Sequence, residues 1–337
     1  MINRVKYGGN EKKMEKKYDV LALGELLIEF TENGKSEQGN PMMEANPGGA
    51  PCNVLAMLNK LSKKTAFIGK VGNDQFGTSL KSVLENLGIG TDNLYLDDEV
   101  HTTLAFVHTF EDGDRDFAFY RNPGADMMLT EDEIKEEEIK ATRLFHFGTL
   151  SMTHDGVRKA TKKALSIAKE SHVTVSFDPN LRPPLWNTLD EAKEQILFGL
   201  GQCDVLKISD DEILFVSGCD TIEEGVNWIR DRFSNIKLLL ATLGKEGSIA
   251  YYEDKVVRVN PFLNKNTIET TGAGDTFCAC VLNYVLENGL ESLSEDNLKE
   301  MLTFANGASS LITTKRGALK VMPEKKEVES YIASFGN

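Results

Sequence analysis

Three common signatures of protein class are missing from this 337-residue sequence. Its five cysteines are odd in number and form no C-x-x-C pair, which argues against a disulfide framework or a zinc site and favours reduced thiols. No segment approaches the roughly eighteen consecutive apolar residues of a membrane span. Residues 1–17 are basic and polar, without the apolar core of a signal peptide. We therefore expect a cytoplasmic protein without a membrane partner.

Positive charge is also scarce. The 38 Lys and Arg residues face 52 Asp and Glu residues, which gives a net charge of −14. Such a surface repels DNA and RNA, so no nucleic-acid partner is expected. It repels a nucleotide as well. A nucleotide site would have to rely on metal ions, helix N-termini and a few local cations.

Two nucleotide-binding motifs are absent. The sequence contains no G-x-x-x-x-G-K-[ST], and no G-x-G-x-x-G follows the first apolar run. These absences argue against a P-loop protein and a classical dinucleotide enzyme.

Short apolar runs and helical patterns alternate along most of the chain. This alternation predicts a three-layer α/β domain over residues 18–337, with a mostly parallel sheet, after an N-terminal extension at 1–17. The predicted strands are 18–30, 65–71, 143–147, 173–177, 204–208 and 237–242. The predicted helices include 49–61, 74–87, 157–168, 222–233 and 277–286. Ligands of such folds bind beyond the carboxyl ends of the strands.

One segment departs from this alternation. Residues 102–110 and 115–121 are both β-like, and the Glu-Asp-Gly-Asp sequence between them predicts a hairpin. Both arms are continuously apolar, so a hairpin outside the main sheet would need cover on both faces, from a ligand and a second subunit. The pattern equally allows a hairpin within the main sheet.

The most specific motif is ETTGAGDTF at 269–277, which leads into a helix. Small residues before a helix let a phosphate approach the backbone amides of its first turn. An aspartate there, Asp275, is unfavourable beside a phosphate unless it accepts a hydroxyl proton during phosphoryl transfer. The alternative is a helix N-cap.

Two N-terminal motifs fit a sugar. In PGGAPCN at 47–53, glycines leave room for a polyol against the backbone, and Asn53 offers a donor and an acceptor. Glu29 closes the GELLIE motif at the predicted end of the first strand and could accept hydrogen bonds from two hydroxyls. The alternatives are ordinary turn glycines and a solvated surface glutamate.

Together with DPNLR at 178–182 and TLGKEG at 242–247, these motifs resemble the ribokinase/PfkB sugar kinases, and within them the fructokinases. The resemblance covers residues 19–323. It implies a Rossmann-like core, a β lid formed by about 33–42 and 97–121, and a homodimer through the lids. It also implies ATP and Mg²⁺, with transfer to a primary hydroxyl, the 6-hydroxyl for fructose.

The resemblance also implies site residues. Asp275 would be the base, with the backbone of Gly272, Ala273 and Gly274 as the anion hole. The sugar would contact Glu29, Gly48, Gly49, Asn53, Phe106, Arg121 and Arg182. The ATP site would involve Ser209, Thr242, Gly244, Gly247, Gly274 and Asn306, and Glu212 would act on Mg²⁺ through water. A plain capping box is the alternative for Ser209 and Glu212.

Three positions depart from the usual family pattern. Ser209 replaces an Asn, and Glu29 stands where Asp is more usual. Glu269 stands where potassium-activated relatives often carry Asp, so K⁺ is a candidate activator whose site is altered here.

Fructokinase is the favoured activity, and three alternatives stay open. A 2-keto-3-deoxygluconate kinase could use Arg121 and Arg182 to bind the substrate carboxylate, although Phe119 stands where such enzymes tend to have Tyr. A non-catalytic binding protein with the kinase fold would be free to lose Asp275, which is present. A nucleoside kinase usually needs aromatic residues around the base, and none is obviously placed for this.

Overall fold

The alternation of strands and helices runs through the structure, a computed structural model that describes residues 16–109 and 115–335. Residues 1–15 of the predicted extension and the hairpin turn at 110–114 lie outside the described residues. The strands are β1 (Tyr18–Leu23), β2 (Leu27–Lys35), β3 (Pro41–Gly48), β4 (Thr65–Gly72), β5 (Gly90–Asp97), β6 (Leu104–Thr109), β7 (Arg115–Tyr120), β8 (Thr142–Gly148), β9 (Thr174–Asp178), β10 (Val205–Ser209), β11 (Leu238–Thr242), β12 (Ser248–Tyr252) and β13 (Lys255–Val259). The α-helices are α1 (Ala50–Lys60), α2 (Gln75–Asn86), α3 (Glu136–Lys140), α4 (Asp155–Glu170), α5 (Leu189–Leu200), α6 (Asp210–Ser217), α7 (Ile222–Arg232), α8 (Ala273–Asn288), α9 (Glu295–Ile312) and α10 (Lys325–Ala333).

Nine strands form one large sheet in the order β13-β12-β11-β10-β9-β8-β1-β4-β5. All neighbours from β11 to β5 pair in parallel, and β12 and β13 are antiparallel at one edge. The chain passes from β1 to β4 and β5, and later reaches the other side of β1 through β8. Ligands of open α/β sheets bind beyond the carboxyl ends of the strands at such a reversal. The predicted mostly parallel sheet is confirmed.

Strand β1 shows why this sheet carries helices on both faces. Val20 and Ala22 belong to one buried apolar cluster, and Leu21 and Leu23 belong to the other, because successive strand residues point to opposite faces. Helices α1, α8 and α9 pack into the first cluster, and α4 to α7 pack into the second. Each large aliphatic side chain buried in this way contributes about 1.5–3 kcal/mol. The three-layer prediction is therefore confirmed. No helix in the described ranges is both long and apolar enough to cross a membrane.

The other four strands form a small separate sheet in the order β3-β2-β6-β7. Strands β6 and β7 pair in antiparallel fashion, as predicted for the hairpin, and β2 pairs in parallel with β6. The hairpin therefore stands outside the main sheet, and the alternative of a main-sheet hairpin is wrong. The other half of the small sheet, β2 and β3, spans 27–48, which is wider than the predicted 33–42 loop.

The predicted first strand, 18–30, is in fact two strands in two sheets. Strand β1 ends at Leu23 and β2 begins at Leu27, with Gly24 between them. A Cβ atom on Gly24 would lie 2.5 Å from Cγ of Pro51, so only glycine lets the chain pass α1 this closely. Glu29 consequently lies within the small sheet and not at the carboxyl end of the first main-sheet strand.

Candidate active site

A cavity of about 650 Å³ lies at the carboxyl ends of the large-sheet strands, beside the small sheet. Its lining residues are Glu25, Leu27, Glu29, Gly49, Ala50, Asn53, Phe119, Leu150, Asn180, Arg182, Lys207, Asp211, Thr270, Thr271, Gly272, Gly274 and Asp275. They lie at or just after the ends of β1, β8, β9 and β10, in the small sheet, or at the starts of α1 and α8. The predicted sugar residues Glu29, Gly49, Asn53 and Arg182 thus meet the predicted base and two anion-hole glycines in one cavity.

Asp275 lies in the first turn of α8, whose N-cap is Gly272, so the N-cap alternative for Asp275 is wrong. Its Oδ2 accepts a hydrogen bond from Nδ2 of Asn53 at 2.8 Å. Burial raises the pKa of Asp275, while the Asn53 hydrogen bond and the charges of Lys207 and Arg182 act to lower it. A raised pKa makes this carboxylate a better proton acceptor.

Asn53 has one amide oxygen with no partner in the described part of the chain. Its side chain is 4% exposed, and Oδ1 accepts no hydrogen bond there. An unpaired buried acceptor is costly, so a ligand hydroxyl that donates to Oδ1 would relieve this cost.

The two glycines at the start of α1 leave space that side chains would fill. Gly49 has φ +129°, and a Cβ atom on it would lie 2.4 Å from the carbonyl oxygen of Glu25. A Cβ atom on Gly48 would lie 2.8 Å from the carboxyl carbon of Glu29. Gly48 does not itself line the cavity, but it makes room for the longer carboxylate that stands where Asp is more usual.

The start of α8 supplies backbone amides to the cavity. Gly272 has φ +75°, and a Cβ atom on it would lie 2.5 Å from Cβ of Ala318. The first-turn amides of a helix have no intrahelical acceptor, which leaves them available to an anion. The Ala273 amide is an exception, since it donates to the carbonyl oxygen of Thr270 at 3.2 Å. Its predicted place in the anion hole would require that bond to break.

A buried ion pair lies beside Asp275. Nζ of Lys207 is 3.1 Å from Oδ2 of Asp178, and both side chains are less than a tenth exposed. Burial raises the pKa of Asp178 to about 7 against the opposing Lys207 charge, with Glu212 and Asp275 adding to the rise. Burial acts to lower the pKa of Lys207, but the carboxylates of Asp178 and Glu212 outweigh it and the pKa is raised. Lys207 therefore stays protonated.

Glu25 lines the cavity, and the GELLIE motif gave it no predicted role. It is 4% exposed, and its Oε1 accepts a hydrogen bond from the amide of Ala50 at 2.8 Å. Burial raises the pKa of Glu25 to about 7. Its position just beyond the end of a central strand is the sequence feature that could have identified Glu25 as a site residue. Lys207, two residues before Ser209, was also given no role by the sequence pattern.

Ser209 and Glu212 form the capping box that was the alternative for them. Oγ of Ser209 accepts from the Glu212 amide at 3.3 Å, and Oε2 of Glu212 accepts from the Ser209 amide at 2.9 Å. Oε1 of Glu212 accepts from the Leu181 amide at 2.8 Å. Neither side chain lines the cavity. The contact of Glu212 with Mg²⁺ through water stays a prediction.

Apart from Gly274, which lines the cavity, the predicted ATP residues lie in one row outside the cavity lining. Ser209 pairs in register with Thr242, and Thr242 pairs with Ser248. Ser248 donates through Oγ to Oδ1 of Asn306 at 2.9 Å, and Nδ2 of Asn306 donates to the carbonyl oxygens of residues 259 and 260 at 3.2 Å. The side chain of Asn306 is thus engaged in tying α9 to the sheet, which a sequence pattern does not reveal.

Gly244 and Gly247 flank the turn after β11 in this row. Their φ angles are +52° and +90°. A Cβ atom on Gly247 would lie 2.2 Å from the carbonyl oxygen of Val259, so this position requires glycine for packing. Neither glycine lines the cavity, and their contact with ATP stays a prediction.

Phe106, which was predicted to contact the sugar, does not line the cavity. Ala105 pairs with Phe119 across the hairpin, and Phe119 lines the cavity. Neighbouring strand residues alternate between faces, so Phe106 points to the other face. There it stacks on Phe30, with ring centroids 5.0 Å apart, and meets the edge of Tyr120.

Arg121 is also not a cavity residue. Its guanidinium group is 2% exposed and lies 2.7 Å from Oδ2 of Asp126. It donates further to Oγ1 of Thr153 at 2.8 Å and to the carbonyl oxygen of Leu150 at 3.0 Å. Asp126 also accepts from Oγ1 of Thr103 at 2.5 Å. This network fixes both ends of the β6–β7 hairpin to the core, and Arg182 is left as the predicted arginine that lines the cavity.

Glu269 precedes the anion hole and is tied to another loop. Its Oε1 accepts from the Gly317 amide at 2.9 Å. Its own amide donates to the carbonyl oxygen of Thr313 at 3.2 Å. In the described residues, no group of three or more His, Cys, Asp or Glu side chains is arranged to hold a metal ion.

Comparison with known proteins agrees with this geometry. The family described as "pfkB family carbohydrate kinase" matches residues 17–325. The chain is 38% identical over 318 residues to probable fructokinase-4 of Arabidopsis thaliana, covering 93% of this chain and 96% of that one. It is 40% identical over 311 residues to fructokinase-1 of Zea mays, covering 92% and 96%. A solved fructokinase of Vibrio cholerae O395, in a fructose-, ADP- and calcium-bound form, superposes with a TM-score of 0.84 at 30% identity, covering 94% and 99%. The chain therefore belongs to the pfkB family of carbohydrate kinases.

Proposed function

We propose that this chain is a fructokinase, which transfers the γ-phosphoryl group of ATP to the 6-hydroxyl of D-fructose. The observation that carries the proposal is the hydrogen bond between Asn53 and Asp275 in a cavity that also holds Glu29 of the small sheet. Similar proteins that match nearly the whole chain are named fructokinases. Another is described with fructose and ADP bound.

In the proposed reaction Asp275 accepts the proton of the attacking hydroxyl. The fructose oxygen forms a bond to the γ-phosphorus while the bond from that phosphorus to the ADP oxygen breaks. The proton remains on Asp275, and ADP leaves with the bond electrons. Amides in the first turn of α8 hold the phosphoryl charge that is being transferred. The raised pKa of Asp275 suits a general base.

The small sheet has a second part in this proposal, as a lid. Glu29 and Phe119 of that sheet line the same cavity as Asp275. Closing over the sugar would exclude water and so suppress hydrolysis of ATP. Glu29, Asn53 and the backbone at Gly49 would hold the hydroxyls, and the unpaired Oδ1 of Asn53 would accept one of them.

Mg²⁺ is proposed as the metal, bound mainly through the triphosphate. Asp211, which lines the cavity, would offer a hard oxygen donor of the kind that Mg²⁺ prefers, and Glu212 would act on the ion through water. When bound with ATP it neutralises charge on the phosphates. K⁺ is proposed as an activator, since a similar solved fructokinase is described with a potassium ion. Turnover in KCl compared with choline chloride tests this part.

A cytoplasmic homodimer completes the proposal. The outer face of the small sheet carries Phe30, Phe106 and Tyr120, and Tyr120 is 67% exposed. A second small sheet could cover these rings. Size-exclusion chromatography with light scattering measures the molar mass and so tests the dimer. We expect Tyr120→Ser to lower the dimer fraction. A monomeric wild type would contradict the proposal. The five free cysteines suit a reducing compartment.

The arginines favour fructose over an acid sugar. A carboxylate substrate needs cationic partners, and one of the two predicted arginines, Arg121, is used inside the buried network with Asp126. Arg182 lines the cavity. Phe119, which lines it too, offers no hydroxyl.

An ADP-release assay tests the proposal with Mg-ATP and fructose, glucose, ribose, 2-keto-3-deoxygluconate or adenosine. We expect strong turnover on fructose alone. The control is Asp254→Asn, which removes a carboxylate that is 93% exposed and should leave the rate unchanged. If the enzyme turned over the keto acid and not fructose, the keto acid would be assigned as the substrate. If it turned over none of the sugars, the proposed enzymatic function would be wrong.

A further inference from the structure

One cationic side chain in the cavity, Lys207, has no role assigned by the sequence motifs. Lys207 is near the end of β10, its side chain is 9% exposed, and it lines the cavity with Gly274 and Asp275. Its partner Asp178 lies 3.1 and 3.2 Å away through its two carboxylate oxygens. An ammonium group has three N–H donors, and two acceptor oxygens on Asp178 leave a donor for another group.

The ammonium group faces the anion hole. A Cβ atom built on Gly274 would lie 3.2 Å from Nζ of Lys207. Gly274 belongs to the first turn of α8, where amides have no intrahelical acceptor. The Lys207 ammonium and these amides therefore border the same small space, next to Asp275.

Carboxylate groups are concentrated at this place. Asp275, Asp178, Asp211, Glu25 and Glu29 line or adjoin the cavity, on a chain with a net charge of −14. A triphosphate brings further negative charge into it. Among the described lining residues, only Lys207 and Arg182 are basic. Of these two, Lys207 is the one whose ammonium lies against the α8 turn.

We propose that Lys207 donates a hydrogen bond to an oxygen of the phosphoryl group in transit, and that Asp178 positions its ammonium group. This inference rests on the proposed phosphoryl transfer. Lys207 transfers no proton, because the hydroxyl proton goes to Asp275 and the breaking bond leaves its electrons on ADP. The gain comes from fixed positive charge in a water-poor site, where charge develops on the equatorial oxygens.

The proposal predicts a nucleotide-binding pattern that a structural ion pair would not produce. Lys207 would touch the γ-phosphate and not ADP. Titration calorimetry on Lys207→Met should therefore show weaker binding of the Mg-bound ATP analogue with a β–γ imido bridge, by at least about tenfold. Affinity for Mg-ADP should stay within about twofold of the wild type. In the fructose assay kcat should fall by about 10²–10³-fold with little change in KM for fructose.

Three further variants separate stability, charge and positioning. Lys207→Met leaves Asp178 without its cation, which could unfold the chain. Asp178→Asn/Lys207→Met removes both charges, and we expect it to fold and to keep the selective loss of analogue binding. Lys207→Arg keeps the charge and should retain more kcat than Lys207→Met. Asp178→Asn alone should lower kcat, with KM for fructose little changed, if it positions Lys207.

The outcomes separate this inference from the fructokinase proposal. An equal loss of analogue and ADP affinity, or no loss of either, would overturn the role of Lys207 even with strong fructose turnover. A selective loss of analogue binding would support that role even if the wild type ignored fructose, since the binding experiment contains no sugar. A wild type that bound neither nucleotide would overturn both proposals.

Discussion

Replacing Asp275 by asparagine separates the proposed chemistry from binding and folding. Asparagine has nearly the same shape, and its amide oxygen can still accept the hydrogen bond that Nδ2 of Asn53 donates at 2.8 Å. What it loses is the ability to accept a hydroxyl proton. The first-turn amides of α8, Lys207 and Arg182 remain in place.

The expected loss follows from that single function. A positioned general base contributes about 10²–10⁴-fold, so kcat should fall by this factor, equivalent to about 3–5 kcal/mol of transition-state free energy. KM for fructose should stay within about threefold, because every other hydrogen-bonding group of the cavity is unchanged. Burial raises the pKa of Asp275, so its ionised form is disfavoured in the fold. The variant should therefore unfold at the same or a higher temperature at pH 7.

The assay is ADP release with fructose as the varied substrate, accompanied by thermal unfolding of the same samples. Asp254→Asn is the matched control, because it makes the same chemical change at an exposed site. A fall in kcat below about tenfold would refute the assignment of Asp275 as the base. So would an equal fall in the control, or a fall that tracks a lower melting temperature.

Three further changes test the packing around the site. Burial lowers the pKa of His146 to about 3, so the unfolded chain binds a proton below about pH 6.5 that the fold resists. As the pH falls from about 6.5 to 4, the free energy of unfolding in urea should decrease more steeply for the wild type than for His146→Gln. The difference in slope should be up to about 1.4 kcal/mol per pH unit. Arg121→Met should lower the free energy of unfolding in urea by about 3–5 kcal/mol, because Asp126 loses its cation, and adding Asp126→Leu should recover most of it. Gly49→Ala should cost about 2 kcal/mol in thermal unfolding, since its φ is +129° and a Cβ atom would meet the carbonyl oxygen of Glu25 at 2.4 Å. Equal pH slopes for the wild type and His146→Gln would contradict the first argument. An unchanged free energy of unfolding for Arg121→Met would contradict the second, and an unchanged melting temperature for Gly49→Ala would contradict the third.

The sequence predicted the main sheet because its strands are buried on both faces and read as continuous apolar runs. The same property hid the boundary between β1 and β2. Strand β1 and the first residues of β2 form one largely apolar run, and the contact between Gly24 and Pro51 shows where the chain leaves the main sheet. That contact joins residues from two elements, so no local pattern contains it.

The site was predicted where its residues lie in ordered motifs, and less well where a partner decides the role. Asp275 and Asn53 lie in such motifs and meet in the cavity. Arg121 and Asn306 also have side chains that could bind a ligand. However, Arg121 forms an ion pair with Asp126, and Asn306 accepts a hydrogen bond from Ser248. A sequence gives the type of a side chain and its place along the chain. Whether a distant residue satisfies it depends on the packing.

The acidic composition and the proposed nucleotide chemistry are compatible because the positive potential is local. Helices α1 and α8 both begin at glycines with positive φ, Gly49 and Gly272, and both first turns line the cavity. Each helix N-terminus carries about half a positive charge. Lys207 and Arg182 add two full charges at the same place, which offset part of the charge of the carboxylates there. Since charges on the outer surface are screened beyond about 8–10 Å in physiological salt, these near groups dominate the potential that a phosphate meets there.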